Sequence, residues 1–131
     1  MDLYDFFPAW ELKCHCGKCD YGQKDMNAVF MQRLINLRLR SAYPFRLNRA
    51  VSCPDHDKRI GGAGIHPTGH CIDIEILCQD HAQYIIFNAR DHGFTGIGVK
   101  MHGPYRGRLI HLDDLPEDLP GRIRPAIWTY P

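Results

Sequence analysis

Residues 71–76 read Cys71-Ile72-Asp73-Ile74-Glu75-Ile76, and this stretch decides the fold. Strand side chains alternate between faces, so Ile72, Ile74 and Ile76 share an apolar side while Asp73 and Glu75 share the other. The pattern predicts a strand with one face in a core and an acidic face turned away from it. Upstream, residues 52–69 hold Pro54, Gly61, Gly62, Gly64, Pro67 and Gly69, which read as a long ordered loop. Before it, Phe45 to Val51 reads as a strand ended by Cys53-Pro54-Asp55.

Downstream, Asp80 to Asp91 reads as a helix that buries Ala82, Ile85, Ile86 and Ala89, with Gly93 beyond its end. Short strands are expected at Gly96 to Val99, Arg108 to Leu112 and about Ile123 to Tyr130. Trp128 and Tyr130 share a face of the last one and close the sheet. The clearest helix runs from Asp25 to about Ser41. Val29, Phe30, Leu34 and Leu37 recur on it, flanked by Met31 and Ile35, Asp25 accepts from free donors near its start, and Pro44 prevents its continuation. Residues 1–24 form an irregular arm pinned by aromatic residues and carrying a cysteine cluster. Together these elements predict a single α+β domain over residues 1–131, with helices on one face of a largely antiparallel sheet.

The 131 residues are 44% hydrophobic and 24% charged, a globular composition. Sixteen basic and fifteen acidic side chains leave a net charge of +1, which points away from nucleic acid as a partner. No run approaches the roughly 18 apolar residues that span a bilayer, so membrane insertion is not expected. The opening residues lack the basic region of a signal peptide. The expectation is a protein made in the cytoplasm.

His66 lies in the Gly/Pro loop, Asp73 on the acidic strand face, and His111 on a later strand with Asp113 two positions beyond. Two imidazoles and one carboxylate suit zinc and leave its fourth position for water, the open arrangement of a hydrolytic site. A general base must then come from nearby. Asp113 and Glu75 are the candidates, each two residues from a ligand on its side of a strand; Asp113 has the alternative role of orienting a ligand histidine. His70, His102 and Tyr105 are candidates for binding substrate and stabilising an oxyanion. Cys14, Cys16 and Cys19, with Cys53, allow a second, structural metal, disulfides or reduced thiols.

Gly64-Ile65-His66-Pro67-Thr68-Gly69-His70-Cys71-Ile72-Asp73 resembles the Ser-x-His-x-x-Gly-x-Ala-x-Asp signature of the peptidase M15 family, which holds D-alanyl-D-alanine carboxypeptidases and phage L,D-peptidases. Gly96-Ile97-Gly98-Val99, Leu109-Ile110-His111-Leu112-Asp113, Arg124-Pro125 and Trp128-Thr129-Tyr130 resemble the ending of its virus-associated branch. The likeness runs from about Leu12 to Pro131.

This resemblance implies a zinc peptidase that cleaves an amide in bacterial peptidoglycan stem peptides, as a phage lysin or a virion-associated enzyme among other virion proteins. It places His66, Asp73 and His111 at the zinc-ligand positions. Gly69 falls at a glycine expected to keep the loop close to the metal, and Cys71 replaces a small alanine. Ser52 stands where the family has the arginine thought to hold the substrate's carboxylate, and Arg49 precedes it by three residues. On a continuous strand that odd spacing would turn Arg49 and Ser52 to opposite faces. Arg108 and Leu109 stand where other branches carry a Glu or a His as base. These departures keep open the alternative of a non-catalytic, metal-stabilised binding or virion structural protein.

Overall fold

The structure, a computed structural model, describes residues 6–131. Its centre is the predicted strand, β2 (Cys71–Glu75), whose Ile72 and Ile74 are fully buried. Around it stand β1 (Leu47–Arg49), β3 (Gly96–Lys100), β4 (Leu109–Asp113) and β5 (Ala126–Thr129) in the order β1-β2-β4-β3-β5. The pairs β1/β2, β2/β4 and β4/β3 are antiparallel, while β5 runs parallel to β3, so the sheet is mixed. Register places Asp73 opposite His111 and Cys71 opposite Asp113.

Among the described residues four α-helices accompany the sheet: α1 (Ala9–Leu12), α2 (Ala28–Leu39), α3 (Pro54–Arg59) and α4 (Gln79–Ala89). On α2, Phe30, Met31, Leu34 and Leu37 are buried; on α4, Ala82, Ile85 and Ala89. These side chains form one cluster with Ile72, Ile74, Ile97, Ile110 and Leu112, so α2 and α4 cover the apolar face of the sheet. Phe30 meets Phe94 edge to face at 5.5 Å. Burying each Phe, Leu, Ile or Met is worth about 1.5–3 kcal/mol, which sets the register that turns Asp73 and His111 to the opposite face.

Several expectations need correction. Helix α2 starts at Ala28, where the Asn27 side chain accepts from the Phe30 amide at 2.9 Å. Asp25 instead closes a separate turn by accepting from the Gly22 amide at 2.9 Å. Val29 lies on the solvent side of α2, 59% exposed. The loop at 52–69 contains α3, which Pro54 opens from the first helical turn with Asp55 and Asp57 beside it. Those residues are favoured at a helix start because the turn has free amide donors and positive dipole character. In the arm, Phe7 is buried but Trp10 is 71% exposed, and residues 1–5 lie outside the described residues. No helix among the described residues is long and apolar enough to cross a membrane.

Candidate metal centre

His66 opens a short 3-10 turn, His66–Thr68, that lies beside β2. Its Nδ1 donates to the Ala50 carbonyl at 2.7 Å, which leaves the Nε2 lone pair 3.4 Å from Asp73 Oδ2. His111 is oriented in the reverse sense. Its Nε2 donates to Asp113 Oδ2 at 2.8 Å, and its Nδ1 stands 3.1 Å from Asp73 Oδ1. Each imidazole thus has one nitrogen held by an oxygen behind it and the other aimed at the same carboxylate. That is how outer partners fix the tautomer of a ligating histidine.

The electrostatics point the same way. Burial alone would raise the Asp73 pKa, but the two histidines outweigh it and hold the carboxyl well below its usual range. Burial would lower the His111 pKa, but hydrogen bonds to Asp113 and Asp73 raise it. Two nitrogen lone pairs and a carboxylate converging in a buried space need a cation between them, either a proton or a metal. The donor set fits zinc.

Asp113 has no exposed surface. Arg124 grips it through Nε at 2.9 Å and Nη2 at 2.8 Å, and the Leu115 amide adds a bond at 3.3 Å. Burial opposes ionisation, yet the hydrogen bonds from His111 and Arg124 bring its pKa down to about 2. Two glycines make room for this arrangement. A Cβ on Gly96 would fall 2.3 Å from Asp113 Oδ2, and one on Gly98 would fall 2.6 Å from the Trp128 indole nitrogen. Without those atoms Trp128 lies over β3, 5.3 Å from the His111 ring.

His66, Asp73 and His111 form part of the wall of a hollow of about 400 Å³. Arg49, Leu109, Arg122, Arg124, Trp128 and Tyr130 also line it, and among the described residues Asp73 is the one carboxylate in its lining. The strand containing Arg49 ends at that residue. Arg49 and Ser52 therefore do not diverge: Arg49 Nε donates to Ser52 Oγ at 3.0 Å, and Asp57 holds the same guanidinium at 2.5 Å. Burial raises the Tyr130 pKa, so its phenol stays neutral at physiological pH.

Other predicted site residues lie elsewhere. Glu75 faces Arg46 at 3.7 Å and lines a separate hollow together with Tyr105. His70 pairs with Asp114 at 2.8 Å, and His102 is exposed. Arg108 turns away to bond the Gly103 carbonyl and stack on Tyr105. Gly69 lies close against the turn before α2 rather than against the histidines: a Cβ there would fall 2.0 Å from the Asp25 carbonyl oxygen.

Cys71 is the donor the sequence reading passed over as a small packing residue. Its sulfur, with a nitrogen each from His66 and His111, forms a trio of ligand atoms within 4.8 Å of one another. Its two-residue spacing from Asp73 on a strand is the signal that places both on one face. Burial, with Asp73 and Asp113 nearby, pushes its pKa well above the ordinary thiol value. A second group able to hold a metal comprises Cys14, Cys16, Cys19 and Cys53. No model of a known protein family matches the chain, and no curated protein searched matches it.

Proposed function

We propose that the chain is a zinc peptidase of the peptidase M15 type, hydrolysing an amide in bacterial peptidoglycan stem peptides as a phage lysin or virion-associated enzyme. The observation that carries this reading is the convergence of His66 Nε2 and His111 Nδ1 on Asp73, at 3.4 and 3.1 Å, in the wall of an open hollow. His66, Asp73 and His111 would hold the ion. When bound there, zinc supplies a Lewis acid that activates water and polarises an amide carbonyl.

The other roles belong to the chain's own groups. Asp113 is a positioning residue, since both its oxygens are occupied by His111 and Arg124 and it does not line the hollow. Arg122 reaches the hollow bonded to the Ala63 carbonyl and to no carboxylate among the described residues, so it offers charge to a substrate carboxylate. Arg49 presents a second guanidinium already steadied by Asp57. Tyr130 offers a neutral O–H to an oxygen that gains charge during hydrolysis.

Cys71 favours a second reading. Its sulfur groups with a nitrogen each of His66 and His111. Were Asp73 to bind as well, the set would close at four donors, and a closed site holds metal for stability rather than for hydrolysis. The chain would then be a binding or virion structural protein. Purified peptidoglycan separates the readings. Zinc-loaded peptidase should free amino groups from it, chelator should stop the release, and mass spectrometry of the fragments names the bond. Zinc-loaded protein that frees no amino groups overturns the peptidase reading.

A further inference from the structure

Three of the four clustered cysteines lie within one short loop, and the Cys14 amide bonds the Tyr21 carbonyl at 3.0 Å to close that loop. Gly17 takes a positive φ of 71°, turning the chain so that Cys16 and Cys19 face each other. Their sulfurs stand 3.4 Å apart, and Cys53 Sγ stands 3.9 Å from Cys16 Sγ. All four sulfurs lie within 4.8 Å of one another. Four sulfurs at about 2.3 Å from a tetrahedral zinc are separated by about 3.8 Å, whereas a disulfide requires about 2.05 Å. Backbone amides also point at the sulfurs: Lys18 N–H at Cys16 and Cys53 N–H at Cys14, both at 3.3 Å. Such donors stabilise thiolate charge.

We propose that Cys14, Cys16, Cys19 and Cys53 bind a second, structural zinc ion that fastens the N-terminal arm to the segment walling the histidine site. Cys53 is the N-cap of α3. Directly before it lie Ala50, whose carbonyl holds His66, and Ser52, whose amide bonds the His66 carbonyl at 3.5 Å. The sulfur site thus braces the backbone on which the first ligand of the other site depends. With four protein ligands it has no open position, so its role is to hold the fold. It does not require that the histidine site be catalytic.

Metal analysis and cobalt substitution test it. The purified protein should carry zinc that survives in His66→Ala/His111→Ala, a variant that leaves Cys71 without its partner ligands. In that variant, cobalt(II) should give an intense near-ultraviolet thiolate-to-metal band, and stepwise blocking of the thiols should release the metal. Cys16→Ser/Cys19→Ser should lose this ion and melt earlier. Should the serine variant fail to fold, the cobalt spectrum of the histidine variant still decides. Absence of the thiolate band there overturns the proposal, as does alkylation mass spectrometry of unreduced protein that finds these cysteines paired as disulfides. Loss of peptidoglycan hydrolysis alone bears on the histidine site and leaves this one standing.

Discussion

The two donor clusters are built by different means. At the sulfur cluster, three of four donors come from residues 14–19 and the fourth from Cys53. At the histidine cluster, the donors come from the His66 turn, β2 and β4, and each imidazole has its own oxygen partner behind it. The first cluster is a local turn that finds one distant partner. The second exists only because antiparallel register sets Asp73 against His111 and a loop delivers His66. One surrounds its centre with like donors, while the other opens onto a hollow lined by arginines and aromatic rings. A closed set of like ligands suits holding, and an uneven, open set suits chemistry.

The largest expected effect on that contrast comes from Asp113→Asn. The amide retains the shape but lacks the charge that pairs with Arg124 and fixes the His111 tautomer. Losing such an outer partner typically costs 10–100-fold in metal affinity. Breaking a buried ion pair costs on the order of 3–5 kcal/mol in stability. Chelator competition should therefore show weaker zinc binding at the histidine site, with the sulfur-bound zinc unchanged and a lowered melting temperature. Unchanged affinity together with a large loss of turnover would return Asp113 to the role of base.

Cys71→Ala comes next and asks whether the second cluster is open. Removing one buried sulfur should cost about 1 kcal/mol, the scale of a deleted buried methyl group. If the site is open, zinc affinity and peptidoglycan hydrolysis stay near wild type. If Cys71 is a ligand, the variant binds zinc more weakly and the cobalt form loses its thiolate band at the histidine site. Either outcome is read best in Cys16→Ser/Cys19→Ser, where the other thiolates no longer contribute.

The sequence made the apolar side of the sheet legible because its pattern has a period and needs no partner to be seen. Ile72 and Ile74 repeat every second residue, and Phe30, Leu34 and Leu37 recur at helical spacing. Short elements were harder to read. Pro54 and the nearby glycines resemble breakers, yet Pro54 opens α3, since a first-turn proline lacks only an amide that would have no helical acceptor. His66, Asp73 and His111 meet through register and the course of a loop, neither of which has a local pattern to be read. What could not be read was direction. Nothing local tells that Arg49 ends its strand and so turns toward Ser52, or that Glu75 faces Arg46 in another hollow. Trp128 and Tyr130 were expected to close the sheet, but their place in the hollow depends on Gly98 across the β3/β5 pair.

The smallest expected effect concerns how the arm that bears the sulfur cluster is seated without metal. Glu11 on α1 is 6% exposed and accepts from the Leu47 amide at 3.3 Å, tying the arm to β1. Burial raises its pKa above 4.5, with the Leu47 amide and Arg46 acting in the opposite direction. A raised folded-state pKa means that the folded protein holds this proton more tightly than the unfolded chain does. The associated stability is fully present below the unfolded value near 4.5 and is lost as pH rises through the folded value. Glu11→Gln removes this titration but keeps an oxygen for Leu47. At pH 7 the variant should melt higher by on the order of 1–3 °C, and the two proteins should converge below pH 4. The scan belongs in chelator, because acid also strips metal from thiolates and would add its own loss. Repeated with zinc, a steep acidic drop common to both proteins would belong to the sulfur cluster. A glutamine variant less stable at pH 7, or a constant difference at every pH, would show that the Glu11 charge carries no burial penalty.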